Sequence, residues 1–216
     1  MRFLSHAETM RLFQRACVRA GVKVAYSQGY NPHQRMSLVL PRSVGVESDD
    51  EILCLWLKDG QTEIDAKSLR SELSAFGETS PVPKERGGPN GIEIVSVETS
   101  QAKSVPEPIS ARYIMSVRGQ YIDDKIRRQI EVILAGDKVM VDRRTGEDSR
   151  TRPVDIRPFL ESIKAEQDRV AVDCKISPAG TIRVDEILKL LGLAVEDLAG
   201  PVIRTTVQYS GCKTRN

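Results

Sequence analysis

The sequence is poor in the side chains that do redox and metal chemistry. Its four cysteines, Cys17, Cys54, Cys174 and Cys212, are widely spaced with no C-x-x-C among them, which argues against a zinc ribbon, an iron–sulfur cradle and a redox dithiol. Only two histidines occur, His6 and His33, so a metal site would have to borrow carboxylates whose spacing announces nothing; no metal and no cofactor is expected. No apolar run is long enough to span a bilayer, and the N-terminus lacks the charged-then-apolar pattern of a signal peptide. The expectation is a cytoplasmic protein with no membrane contact. A strong charge of one sign is missing too. With 32 basic against 30 acidic residues, nucleic-acid binding would require a local basic face rather than a global field.

What is present is concentrated near the start, between residues 1 and 47. Ser5 followed by Glu8 is a capping-box pattern and predicts a helix from Ser5 to the stop signal at Gly21. Along it Leu12, Phe13, Ala16, Cys17 and Ala20 recur at helical spacing, while Arg11, Arg15 and Arg19 follow at i, i+4 and i+8. An apolar stripe therefore faces a core beside a row of guanidinium groups. The next stretch, Tyr26, Ser27, Gln28, Gly29, Tyr30, Asn31, Pro32, His33 and Gln34, holds little that favours burial. Its aromatics, amides and imidazole are groups that stack on bases and hydrogen-bond to base edges or sugar hydroxyls. The competing reading is an ordinary solvated helix face beside a polar turn, since Gly29 and Asn31-Pro32 meet turn requirements without any ligand.

Further along, strand composition covers 35–40 and 51–57, a helix is predicted over 62–77, and 92–97 returns to strand composition. The Pro-bearing stretch 100–110 divides a first domain, 1–99, from a second, 111–216. In the second, strands at 112–118, 138–141, 160–166, 169–176 and 202–209 accompany helices over 121–135 and 184–191. The expected fold is α+β: two tandem ferredoxin-like β-α-β-β-α-β units, the first lacking its opening strand. The second carries an inserted arm rich in arginine, with Arg143, Arg144, Arg150, Arg152 and Arg157 interleaved with acids. Such an arm follows a phosphate backbone, or else is a surface hairpin laced with salt bridges. Asp155 and Arg157 are predicted on one side of an extended chain, as binding groups or as a pair serving each other.

At FLSH, MRLFQRA, RAG, AYSQGYNPH, LPRSVGVES and, in the second half, VDIRPFL, the sequence resembles a bacterial family of unknown function, the radical SAM-linked proteins. The positions matching its motifs include His6, Arg11, Tyr26, Gln28, Gly29, Asn31, Pro32 and His33. The resemblance implies a domain found beside or fused to radical S-adenosylmethionine enzymes, with no settled activity and no catalytic residues to carry across. Two departures stand out: the opening strand common in that family is missing, and His6-Ala7-Glu8 replaces a common leucine and aspartate. No CxxxCxxC run occurs, hence no cluster of its own is expected.

Three functions follow. The first is an accessory RNA-binding module without catalysis of its own, working with a radical SAM enzyme and binding through Arg11, Arg15, Arg19, Tyr26, Gln28, Gly29, Tyr30, Asn31, Pro32, His33, Arg143, Asp155 and Arg157. The second is an endoribonuclease resembling CRISPR repeat-processing enzymes, with His6 or His33 as acid–base groups beside Tyr26 and Arg11. The third is a protein–protein adaptor anchored by Trp56, Tyr26 and Tyr30.

Overall fold

The computed structural model describes residues 2–58, 71, 92–100, 104–119, 122–145 and 150–210. The chain divides into two compact units, Met1–Val44 with Glu51–Val105, and Gly45–Asp50 with Pro106–Asn216. Both mix helix and sheet, making the protein α+β; three α-helices occur among the described residues.

The first unit opens with helix α1 (His6–Arg19). Its start is the predicted capping box: the Ser5 side chain accepts from the Glu8 N–H while the Glu8 carboxylate accepts from the Ser5 N–H. The helix closes at Ala20, and Gly21 follows in the left-handed region at φ 66°. Strand β1 (Met36–Leu38) pairs antiparallel with β3 (Leu53–Leu55); between them in sequence lies β2 (Val46–Ser48), which belongs to the second unit. Buried Cys17, Val22 and Val24 form the core here, with Ala20, Met36, Leu55, Leu57 and Val97 packed on it. The predicted helix over 62–77 lies, apart from Ser71, outside the described residues. The stretch 92–97, expected as a strand, carries strand composition but joins no ladder among the described residues. The two expected strands are also shorter than their composition suggests.

The second unit is built on β4 (Pro108–Val117), helix α2 (Asp124–Ala135), a hairpin of β5 (Met140–Thr145) and β6 (Arg150–Asp155), then β7 (Leu160–Ala165), β8 (Arg169–Lys175), helix α3 (Val184–Leu191) and β9 (Leu198–Tyr209). The main sheet runs β2-β9-β4-β8-β7; all neighbours are antiparallel except β2 beside β9, a parallel edge that the sequence did not announce. Alternation in β8 sends Val170, Val172 and Cys174 fully inward. Ile126, Ile130 and Ile133 of α2 and Ile187, Leu188 and Leu191 of α3 join the same core. The chain expected to stay extended through residue 157 instead turns after β6 into a single 3₁₀ turn, Arg157–Phe159. No helix among the described residues is long and apolar enough to cross a membrane.

Candidate ligand-binding groove in the first unit

Packing of Phe13, Ala16 and Cys17 fixes which way α1 faces, and the opposite positions carry Arg11, Arg15 and Arg19, all exposed. At the helix start, the Ser5 hydroxyl and N–H, helped by the charge of Arg11, hold the Glu8 carboxyl below its usual range. One face of the helix is thus a row of cations at regular pitch, ending one residue before the cap.

The 26–34 loop is held from its base. Tyr26 and Gln34 form an isolated antiparallel bridge. The Ser27 N–H donates to the His33 carbonyl at 2.7 Å, and the His33 N–H donates back to the Ser27 hydroxyl at 3.0 Å. Below them Arg35 N–H donates to the Ala25 carbonyl and Ala25 N–H to the Trp56 carbonyl, while the Arg35 guanidinium lies 5.2 Å from the Trp56 ring centre. Gly29 sits at φ 143°, a conformation that side chains rarely adopt, which explains glycine at the tip.

Helix row and loop meet in one open groove of about 630 Å³, lined by Arg11, Gln14, Arg15, Val18, Arg19, Tyr26, Pro32, His33 and Gln34. The lining residues include no carboxylate. The Tyr26 side chain is 56 % exposed and that of Val18 64 %, so an aromatic and an aliphatic surface stand open beside the guanidinium groups. Among the predicted residues, the structure gathers Arg11, Arg15, Arg19, Tyr26, Pro32 and His33 here. Gln28, Gly29, Tyr30 and Asn31 are exposed at the loop tip and do not line the groove, nor does His6 at the helix start. Gln34, named with the loop, lines the groove too, while Gln14 and Val18 were missed. The signal was available for both, which stand three and seven residues beyond Arg11 and so share its helix face.

The second-unit candidates have other employment. Arg143 of β5 makes a bidentate pair with Glu186 of α3, at 2.6 and 2.9 Å, and also donates to the Thr181 carbonyl. The two side chains retain only 12 % and 5 % of their exposure. Arg157 donates to the carbonyls of Leu134 and Gly136, at the C-terminal end of α2, and to that of Leu160 at the start of β7. Asp155 accepts from the Val139 and Arg157 N–H groups, at 2.9 and 3.1 Å, and these hold its carboxyl below the usual range. Each of the three thus makes contacts within the second unit, in line with the structural alternative set beside ligand binding in the sequence. Arg144 and Arg152 remain exposed on the arm.

Sequence reading missed two further polar clusters. Arg204 of β9 is buried to 1 % exposure, its Nε donating to the Ser48 hydroxyl at 3.1 Å; burial pushes the neighbouring Tyr113 hydroxyl up against the opposing pull of Arg204. On the outer face of the sheet, Arg112 and Asp173 form a bidentate pair joined by the Ser162 hydroxyl, beside a pocket of about 340 Å³. Among the described residues no group of three or more His, Cys, Asp or Glu is placed to hold a metal ion.

The model of a family described as "Uncharacterized protein conserved in bacteria (DUF2344)" matches residues 1–186, and the chain belongs to that family. No curated protein matches the chain. A solved structure, "Crystal Structure of a Cbf5-Nop10-Gar1 Complex", contains a chain similar at 12% identity and a TM-score of 0.41 over 93% of this chain. This chain spans 44% of that one, and a likeness so low carries no argument.

Proposed function

We propose that this member of the uncharacterized DUF2344 family is an accessory RNA-binding module, with the α1 row and the 26–34 loop as its binding surface. The supporting observation is the groove itself: three guanidinium groups, an exposed tyrosine ring, an imidazole and two amides share one wall-to-wall surface without a carboxylate. Guanidinium groups neutralise phosphates, an open aromatic face stacks a base, and amides offer a donor and an acceptor to base edges. The resemblance at AYSQGYNPH to radical SAM-linked proteins supports a partner that brings the catalytic cluster, to which this chain presents its RNA. The same reading takes the chain as two tandem ferredoxin-like units. Its support is the β-α-β-β-α-β connectivity of the second unit with the order β9-β4-β8-β7.

A nuclease reading has less support. General acid–base cleavage needs two proton-transfer groups within reach of one phosphodiester. The groove holds His33 with Tyr26 and Arg11, His6 does not line it, and no distance sets the His33 imidazole and the Tyr26 hydroxyl on one point. Filter binding of total RNA at two salt concentrations tests the proposal. Tyr26→Ala should weaken binding by about 1–3 kcal/mol, the usual contribution of one base-stacking ring. Retention no better than that of an unrelated acidic protein at low salt ends the RNA reading.

A further inference from the structure

Resting on the RNA reading of the same groove, we propose that Tyr26 and Gln34 form a base-reading pair: the ring takes the face of one unpaired base, and the Gln34 amide selects bases carrying an exocyclic amine over uracil. The pairing follows from the backbone. Tyr26 and Gln34 stand directly opposite each other in an isolated antiparallel bridge. On either side of them the Ser27 N–H donates to the His33 carbonyl and the Arg35 N–H to the Ala25 carbonyl, both at 2.7 Å. Two bonds so placed flank the pair rather than join it. That is the antiparallel register in which opposite side chains come closest, about 5 Å apart at Cβ and on one side of the ladder. Both side chains line the groove. A base laid on the exposed Tyr26 ring therefore presents an edge to Gln34.

Gln34 is also an acceptor in want of a donor. Its side-chain oxygen Oε1 is sealed from water and has no hydrogen-bond partner among the described residues, a costly state for a carbonyl. The last torsion of a glutamine is soft, so the amide can turn to a ligand in the groove without breaking any hydrogen bond of that oxygen. The bases differ in what they offer it. Adenine, cytosine and guanine carry an NH2 group that projects from the ring, whereas the base N–H of uracil is set back between two carbonyl oxygens. Where cytosine has its amine, uracil brings a carbonyl, which faces the Gln34 oxygen lone pair to lone pair and leaves both acceptors unpaired. The phosphate needs no such reading. Arg15, exposed on the helix side of the groove, meets it whatever the base. The Ser27–His33 hydrogen bonds close the loop at its base, so ring and amide are set before RNA arrives.

The test is fluorescence anisotropy with the full chain and labelled oligocytidylate and oligouridylate of one length, two strands whose bases share a ring type and differ at the amine. Oligocytidylate should bind about fivefold more tightly, the ratio that one net hydrogen bond gives. Gln34→Leu should bring the two affinities together while leaving their dependence on salt as it was, because no phosphate contact is lost. Arg15→Gln should do the opposite, weakening both strands alike and lowering the slope of log affinity against log salt by about 0.7. Since Gln34→Leu removes an acceptor that has no partner, it should leave the urea midpoint of the first unit, read from Trp56, unchanged or raised. Oligouridylate bound by the wild type as tightly as oligocytidylate, or a preference that survives Gln34→Leu, overturns the base-reading pair while leaving RNA binding intact. A lowered urea midpoint for Gln34→Leu overturns it too, by giving the amide a role in the fold. Failure of both strands to bind overturns the RNA reading and the pair with it.

Discussion

Replacing Glu186 by glutamine removes one charge from the best-buried ion pair of the second unit while keeping nearly the same shape. Glu186 and Arg143 are 5 % and 12 % exposed, so the guanidinium left behind cannot turn to water without dismantling the contact between β5 and α3. Breaking a buried pair from one side costs about 3–5 kcal/mol, because the remaining charge is desolvated and uncompensated. Arg143 keeps the Thr181 carbonyl, which places the expected loss near the low end, about 3 kcal/mol. For a unit of this size that is a fall in Tm of roughly 10–20 °C. Replacing both partners by leucine should cost less than Glu186→Gln alone, since no charge is stranded. Urea denaturation followed by far-UV circular dichroism is the assay; the one tryptophan, Trp56, lies in the first unit and reports on that unit instead.

The same pair predicts a pH signature. Burial raises the Glu186 carboxyl, but the hydrogen bonds from Arg143 and from the Arg183 N–H outweigh it, so the net shift is below the ordinary 4.5. A depressed carboxyl contributes stability that is fully present above the unfolded value and is lost as pH falls through the folded one. The gap between wild type and Glu186→Gln should therefore be full at neutral pH and close as pH drops below 4.5. A variant within about 0.5 kcal/mol of wild type at neutral pH, the scale of an ordinary surface substitution, or a gap that persists unchanged in acid, refutes the reasoning.

Three smaller perturbations follow from the same geometry. Ser5→Ala removes the hydroxyl half of the capping box and should lower the stability of the first unit by about 1 kcal/mol, read from Trp56 fluorescence in urea. Gly192→Ala at the end of α3 puts a side chain at φ 68°; nothing lies within 4 Å of the added carbon, so the loss of about 1 kcal/mol in circular dichroism is conformational rather than steric. Burial pushes the Cys174 thiol up to about 12 and raises that of Cys17, so peptide mapping after thiol labelling at mildly alkaline pH should find both unmodified until urea unfolds the chain.

Where side-chain periodicity is strong, the sequence was readable to within a residue or two. The alternation of Val170, Val172 and Cys174, the isoleucines of α2 and the Gly192 stop of α3 each state one local requirement, and the structure meets them. Stretch 92–97 shows the limit of that reading. Its isoleucines and valines make it suitable for a sheet, but propensity supplies no partner edge, and among the described residues it joins no ladder. Strand β2 shows the converse. Three residues beside Gly45 carry little signal, and what makes them a strand is an edge of β9 whose residue Arg204 lies 156 positions away from Ser48.

The arginines separate by position rather than by type. Arg204 shares the inward pleat of β9 with buried Val202, and Arg143 shares the face of β5 that carries Val141 against the core. Read by residue type alone, both belong outside, as members of a basic surface. Read by period, both belong inside, and an inward arginine must find a fixed partner: Ser48 for one, Glu186 for the other. The same rule applied to α1 gives the opposite answer. Phe13, Ala16 and Cys17 take the inward positions, so Arg11, Arg15 and Arg19 fall on the outward face with Gln14 and Val18 beside them. Period therefore separates arginines that serve the fold, such as Arg143 and Arg204, from the row that α1 leaves on its outward face.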